Sequence, residues 1–225
     1  MKLSDFFIAI FLLINTPSVQ AGVEESLQYI ERLLSEGKKV AVILMDMQEG
    51  FIDPALKNYG AIIQEQIRLL DSLSGKPGVH ILDVNYDPHQ MGNTLPGLLA
   101  SIKRNVMYKL ISKNTDNVFD SYKTIKLPSG REMIQNDNVL DTYLKGEGIK
   151  DVFITGCYDG ACILNSVKGG LERDYRMIVD RELNIVDHTE GLESFFAGVW
   201  KSLKDKSSNL TLISDSPRKE PCQSK

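Results

Sequence analysis

Short, nearly continuous apolar runs alternate along the chain with segments whose apolar residues recur every three or four positions. The runs are "KVAVILMDM" (39–47), "GVHILDVN" (78–85), "NVMYKLI" (105–111), "DVFITG" (151–156), "RMIVD" (176–180) and "NLTLIS" (209–214). They lack the polar alternation of a half-exposed strand, which predicts strands buried on both faces, as in a parallel sheet. Between them, "EESLQYIERLLSEG" sets Leu27, Ile30, Leu33 and Leu34 on one helical face and stops at Gly37. "AIIQEQIRLLDSL" repeats that spacing with Ile63, Ile67 and Leu70, and three more helices are predicted at "NDNVLDTYLKGEG", "CILNSVKGGLER" and "TEGLESFFAGVWKSL". Alternating strands and helices predict an α/β domain, a three-layer α/β/α sandwich around a mainly parallel, Rossmann-like sheet. The stretch "KTIKLPSGREMIQ" (123–135) reads as a surface insertion, and no internal repeat is visible.

The first 21 residues stand outside this pattern. Lys2, the apolar core Phe6 to Ile14 and the small residues Val19 and Ala21 of "SVQA" read as a signal peptide (1–21) cleaved before Gly22. The core is too short for a bilayer that needs about 20 residues, although Asp5 is unusual in such a leader and leaves an N-terminal anchor as the alternative. The predicted domain runs over 22–214, and the polar, proline-bearing end (215–225) reads as a disordered tail. This places the protein in the periplasm or outside the cell, with no membrane partner once the leader is cut. Twenty-six Lys and Arg against 30 Asp and Glu give a net charge of −4, which supplies no basic footprint for nucleic acid. Cys157, Cys162 and Cys222 are too few and too unevenly spaced for a disulfide framework.

In a parallel sheet covered on both faces, ligands bind at the carboxyl ends of the strands. Asp46 closes the first strand, Asp87 and His89 follow the second, Lys113 the third, and Cys157 and Cys162 the fourth. A cysteine at a helix start is favoured as thiolate by the unsatisfied N–H groups there, which can also hold an oxyanion. A carboxylate at a buried strand end is partly desolvated, which raises its pKa and suits it to carry a proton. A lysine beside both is expected to keep them ionised. Each residue alone has an ordinary explanation: a buried structural cysteine, a turn-capping aspartate, a solvated lysine. Their coincidence at three strand ends is what points to a site.

The succession "DMQEGF", then a lysine followed six residues on by Phe119, then "GIKDVFITGCYDGACILNSVKGGLERDYRMIVD" resembles the isochorismatase-like hydrolase superfamily over roughly Val40 to Asp180. The resemblance implies a six-stranded parallel sheet and a catalytic triad at Asp46, Lys113 and Cys162. It also implies a cis peptide between Cys157 and Tyr158, an oxyanion hole from the backbone of Tyr158 and Cys162, and a substrate pocket with Gln48, Phe51 and Phe119. A homo-oligomer is implied as well. Members that bind a divalent metal use an Asp, a His two residues on and further histidines. Here Asp87 and His89 reproduce only the first pair, so no metal and no other cofactor is expected. Asp159, Gly160 and Ala161 differ from the larger residues usual before the nucleophile, which suggests a wider pocket.

These readings converge on an exported cysteine hydrolase that cleaves a C–N bond of a small amide or ureido compound through a thioester. A vinyl ether hydrolase of isochorismatase type is the alternative within the enzyme class. A non-catalytic scaffold is the alternative outside it, silenced by a bridge between Cys157 and Cys162 in an oxidising compartment.

Overall fold

A computed structural model describes residues 21–52, 59–86, 88–126, 132–136, 138–186 and 192–215. Residues 1–20 of the predicted signal peptide, the tail beyond Asp215, Asp87 and the side chain of His89 lie outside what is described. In chain order the elements are α1 (Ala21–Ser35), β1 (Val40–Met45), α2 (Tyr59–Leu73), β2 (Val79–Tyr86), α3 (Pro88–Met91), α4 (Pro96–Lys103) and β3 (Tyr108–Lys113). A 3-10 turn (Val118–Asp120), β4 (Tyr122–Lys126), β5 (Glu132–Asn136), α5 (Val139–Glu147) and β6 (Asp151–Cys157) follow. A π-helical turn (Asp159–Ile163), α6 (Leu164–Leu171), β7 (Arg176–Ile185), α7 (Leu192–Lys206) and β8 (Leu210–Leu212) complete the described chain.

The six-stranded sheet has the order β3-β2-β1-β6-β7-β8, and every pairing in it is parallel. β1 lies inside it with all six residues buried, and its side chains alternate between two cores. Val40, Val42 and Leu44 join Val23, Ile30, Leu69 and Leu98 on the face covered by α1, α2 and α4. Ala41, Ile43 and Met45 join Leu144, Val167 and Trp200 on the face covered by α5, α6 and α7. An apolar strand of this length is stable only with both faces covered, at about 1.5–3 kcal/mol for each large side chain buried.

Two features depart from the pattern in the sequence. The segment read as an insertion is a two-stranded antiparallel ladder, with Tyr122 opposite Asn136 and Lys126 opposite Glu132. α4 was not signalled, because "PGLLASIK" is only eight residues long; Pro96 opens it, a position where the missing N–H has no cost.

Candidate active site

β1, β3 and β6 run in the same direction, so their carboxyl ends open on one crevice. At the end of β1 the chain turns sharply: Asp46 has φ +53°, in the left-handed region that Asp tolerates better than most residues. Its N–H donates to the Val84 carbonyl at 2.8 Å, and its own carbonyl accepts the Cys157 thiol at 2.9 Å. The neighbouring strand end comes extremely close. A Cβ on Gly156, where φ is +135°, would lie 2.1 Å from the Met45 carbonyl oxygen, so only glycine fits there. The Cys157–Tyr158 peptide that follows is cis, as the resemblance implies.

Asp46 and Lys113 are buried side by side, with Lys113 Nζ 2.8 Å from Asp46 Oδ2. The same ammonium stands 3.4 Å from Cys162 Sγ and donates to the Thr115 carbonyl at 3.0 Å. It also lies 4.8 Å from the centre of the Tyr86 ring, whose face attracts a cation. Lys113 is the charged donor beside this carboxylate, and the Cys162 thiol also favours its charged form. A buried carboxylate with only these two neighbours keeps acceptor capacity for a proton or a ligand.

The electrostatics correct one expectation. Burial is the main cause that raises the Asp46 carboxyl, with Lys113 opposing it. Burial likewise pushes the Cys162 thiol up to about 12, the Asp46 charge adding to the rise and Lys113 opposing it. Lys113 favours the charged form of both groups, as expected, but burial outweighs it at each. Cys162 does not open α6; it is the fourth residue of the π-helical turn that begins at Asp159.

Cys157 and Cys162 are both free thiols. Cys157 packs in the core under α1 and α2, and Cys162 in the core under α5 to α7, so the sheet separates them.

The residues expected to line the pocket divide. Phe51 is half-buried and meets Tyr86 and Tyr158 edge to face at 6.1 and 6.2 Å, while the Tyr158 hydroxyl donates to the Phe51 carbonyl at 2.7 Å. Gln48 is wholly buried and both ends of its amide are used on backbone: Nε2 donates to the Gly92 carbonyl and Oε1 accepts the Tyr86 N–H, each at 2.8 Å. It ties loops together beneath the crevice. Phe119 is also fully buried and stacked on Tyr175 at 5.5 Å, within the core that also holds Cys162. The small residues before Cys162 do not open a wider pocket, because the Phe196 ring fills the space above Gly160; a Cβ there would lie 2.4 Å from it.

Three neighbours were not signalled by the sequence. Tyr86 lies under the ammonium. Asp116 places Oδ1 3.7 Å from Cys162 Sγ. Asp159, wholly buried, receives Arg181 Nη2 at 2.7 Å, Asn184 Nδ2 at 2.9 Å and Trp200 Nε1 at 3.0 Å. That knot fixes the start of the turn carrying Cys162 to β7 and α7. Among the described residues no group of three metal-ligating side chains is found.

The isochorismatase domain profile matches residues 40–185, which takes in the sheet from β1 to β7 and every residue of this crevice. The chain belongs to the isochorismatase family. It is an isochorismatase-family hydrolase. The fold is shared with a nicotinamidase of Staphylococcus aureus (16% identity, 78% of this chain and 99% of that one, TM-score 0.56). It is also shared with an isochorismatase-like hydrolase of Alkaliphilus metalliredigens (17%, 79% and 95%, 0.55). A MAR1 ribonuclease of Caenorhabditis elegans has it too (18%, 78% and 78%, 0.56). No curated protein sequence matches the chain.

Proposed function

We propose that this family member hydrolyses a C–N bond of a small amide or ureido compound, with Cys162 as nucleophile, Asp46 as proton carrier and Lys113 as the fixed cation between them. The observation that carries the reading is the convergence on one ammonium of a buried carboxylate and a thiol from three different strand ends. As substrate binds, the thiol proton passes to Asp46 while sulfur attacks the carbonyl carbon, so no free thiolate is needed in advance. The raised carboxyl accepts that proton more readily than an ordinary aspartate would. Negative charge moves to the carbonyl oxygen, toward the backbone N–H groups of Tyr158 and Cys162 as oxyanion donors. Ammonia leaves with the proton from Asp46. Water then gives a proton to Asp46 and its oxygen to the thioester, the acid is released, and the proton returns to sulfur. No step is routed through a metal.

The test is ammonia release from a panel of small amides and ureas by the intact protein, with vinyl ethers assayed alongside. Release from at least one amide, stopped by iodoacetamide attached to Cys162, supports the reading. Turnover of vinyl ethers alone overturns it.

We also place the protein outside the cytoplasm, on the Lys2, Phe6–Ile14 and "SVQA" pattern. Protein recovered outside the cytoplasm should begin at Gly22; a chain that retains Met1 contradicts this.

A further inference from the structure

The nucleophile has a second carboxylate beside it that the mechanism does not use. Asp116 Oδ1 accepts the Cys162 thiol at 3.7 Å, and unlike Asp46 the residue is exposed. It is not a loose surface group. Its carbonyl accepts the hydroxyl of the buried Ser166 at 3.2 Å, and that hydroxyl oxygen also accepts the Val118 N–H at 3.1 Å. Lys113 holds the Thr115 carbonyl, and Asn117 caps the following 3-10 turn by accepting the Phe119 N–H at 3.0 Å. The segment bearing Asp116 is thus fastened on one side to α6 and on the other to the triad cation.

Charge follows from the placement. The charged groups acting on the sulfur are Asp46, Lys113 and Asp116, two carboxylates against one ammonium. Asp46 and Lys113 answer each other, and among the described residues no cation forms an ion pair with Asp116. Asp116 also borders an open groove with Asn117, Asn165 and Lys168, and Lys168 is not among the groups acting on the sulfur. Any carbonyl carbon in contact with Sγ carries its next substituent within a few ångströms of that carboxylate, where unit charges interact strongly even when partly solvated.

We propose that Asp116 sets the substrate class: the site takes a small amide with a cationic group, an ammonium or amidinium, beside the scissile carbonyl, and rejects compounds with a carboxylate there. The proposal rests on Cys162 as the reacting group and deepens the amidohydrolase reading.

The test reads charge selection with and without turnover. Three methanethiosulfonate probes, a 2-aminoethyl cation, a neutral methyl and a 2-sulfonatoethyl anion, each form a mixed disulfide with Cys162 and release methanesulfinate. Rates at the Cys162 peptide are read by mass spectrometry and normalised to a small free thiol. The intact protein should favour cation over anion by roughly tenfold or more, and Asp116→Asn should cut that ratio to within about threefold of one, with Asp116→Glu restoring part of it. Removing a carboxylate beside a thiol also changes its acidity, but that scales all three probes together and leaves the ratio unmoved. An equal rate for cation and anion in the intact protein, or a ratio unaltered in Asp116→Asn, overturns the proposal. In the amide panel, the ratio of kcat/KM for a cationic amide over its neutral isostere should fall in Asp116→Asn by the same order. Probe selectivity without turnover of any amide sinks the amidohydrolase reading and leaves Asp116 as the selector; turnover of neutral and cationic amides alike sinks only the role of Asp116.

Discussion

Asp46 and Asp159 are both buried carboxylates, each paired with a cation and each next to the same cysteine-bearing turn, yet their surroundings differ. Asp159 receives donors from Arg181, Asn184 and Trp200, spread over β7 and α7. Among the described residues Asp46 has only Lys113, at 2.8 Å, and the Cys162 thiol, both members of the same reacting group. A satisfied buried ion pair holds structure in place, and removing one partner leaves a charge stranded. A carboxylate with fewer donors keeps acceptor capacity, which suits it to take up a proton. The knot at Asp159 positions the turn, and the crevice at Asp46 does the chemistry.

If that division holds, Asp46→Asn should lower ammonia release by a factor on the order of a thousand or more, since the amide cannot take the thiol proton. Its cost to folding should be smaller than that of the matching change at Asp159. A urea midpoint that falls as far in Asp46→Asn as in Asp159→Asn breaks the comparison. Asp159→Ala should cost about 3–5 kcal/mol of folding free energy, because Arg181 is left buried without its carboxylate. Urea unfolding measures this directly. Asp159→Asn, which keeps the side-chain volume and one acceptor oxygen, for either Trp200 or Asn184, should cost less.

A third carboxylate tests the scale between these extremes. Asp83 is buried in β2 with the Thr94 hydroxyl as its donor, at 3.0 and 2.8 Å from its two oxygens, and burial raises it to about 6. A raised carboxyl contributes stability that is complete below the unfolded pKa near 4 and is lost as pH rises through the folded value near 6. Asp83→Asn should therefore gain on the wild type between pH 4.5 and pH 8, by on the order of 2 kcal/mol. Equal pH dependence of the two unfolding curves would show that Asp83 is better satisfied than its surroundings indicate.

What the sequence made legible follows the range of each interaction. The six strands show in runs such as "VAVILM" because burial on both faces leaves a local imprint, and Asp46, Lys113 and Cys162 show because strand ends can be located that way. The partners of Asp159 lie 22 to 41 residues away and leave no local mark. Gln48 reads as a pocket residue until its amide is seen to be used at both ends on backbone 38 and 44 residues on. The helix-start argument for a thiolate weighs only the local field. The decisive influences on Cys162 are burial and the charge of Asp46, 116 positions earlier in the chain. Asp116 was within reach of inspection, three residues past Lys113, but nothing in "SKNTDNVF" tells which way its carboxylate faces.

The most direct test of the central claim is ammonia release by Cys162→Ala from an amide that the wild type hydrolyses, at equal protein concentration and with folding checked by the urea midpoint. Cys162 is nearly buried but small, so the midpoint should shift by no more than about 1 kcal/mol of stability. The account predicts a rate below about a thousandth of wild type, the loss typical of a nucleophile that works as one unit with its base. A folded Cys162→Ala protein that keeps more than that fraction of the rate would contradict it.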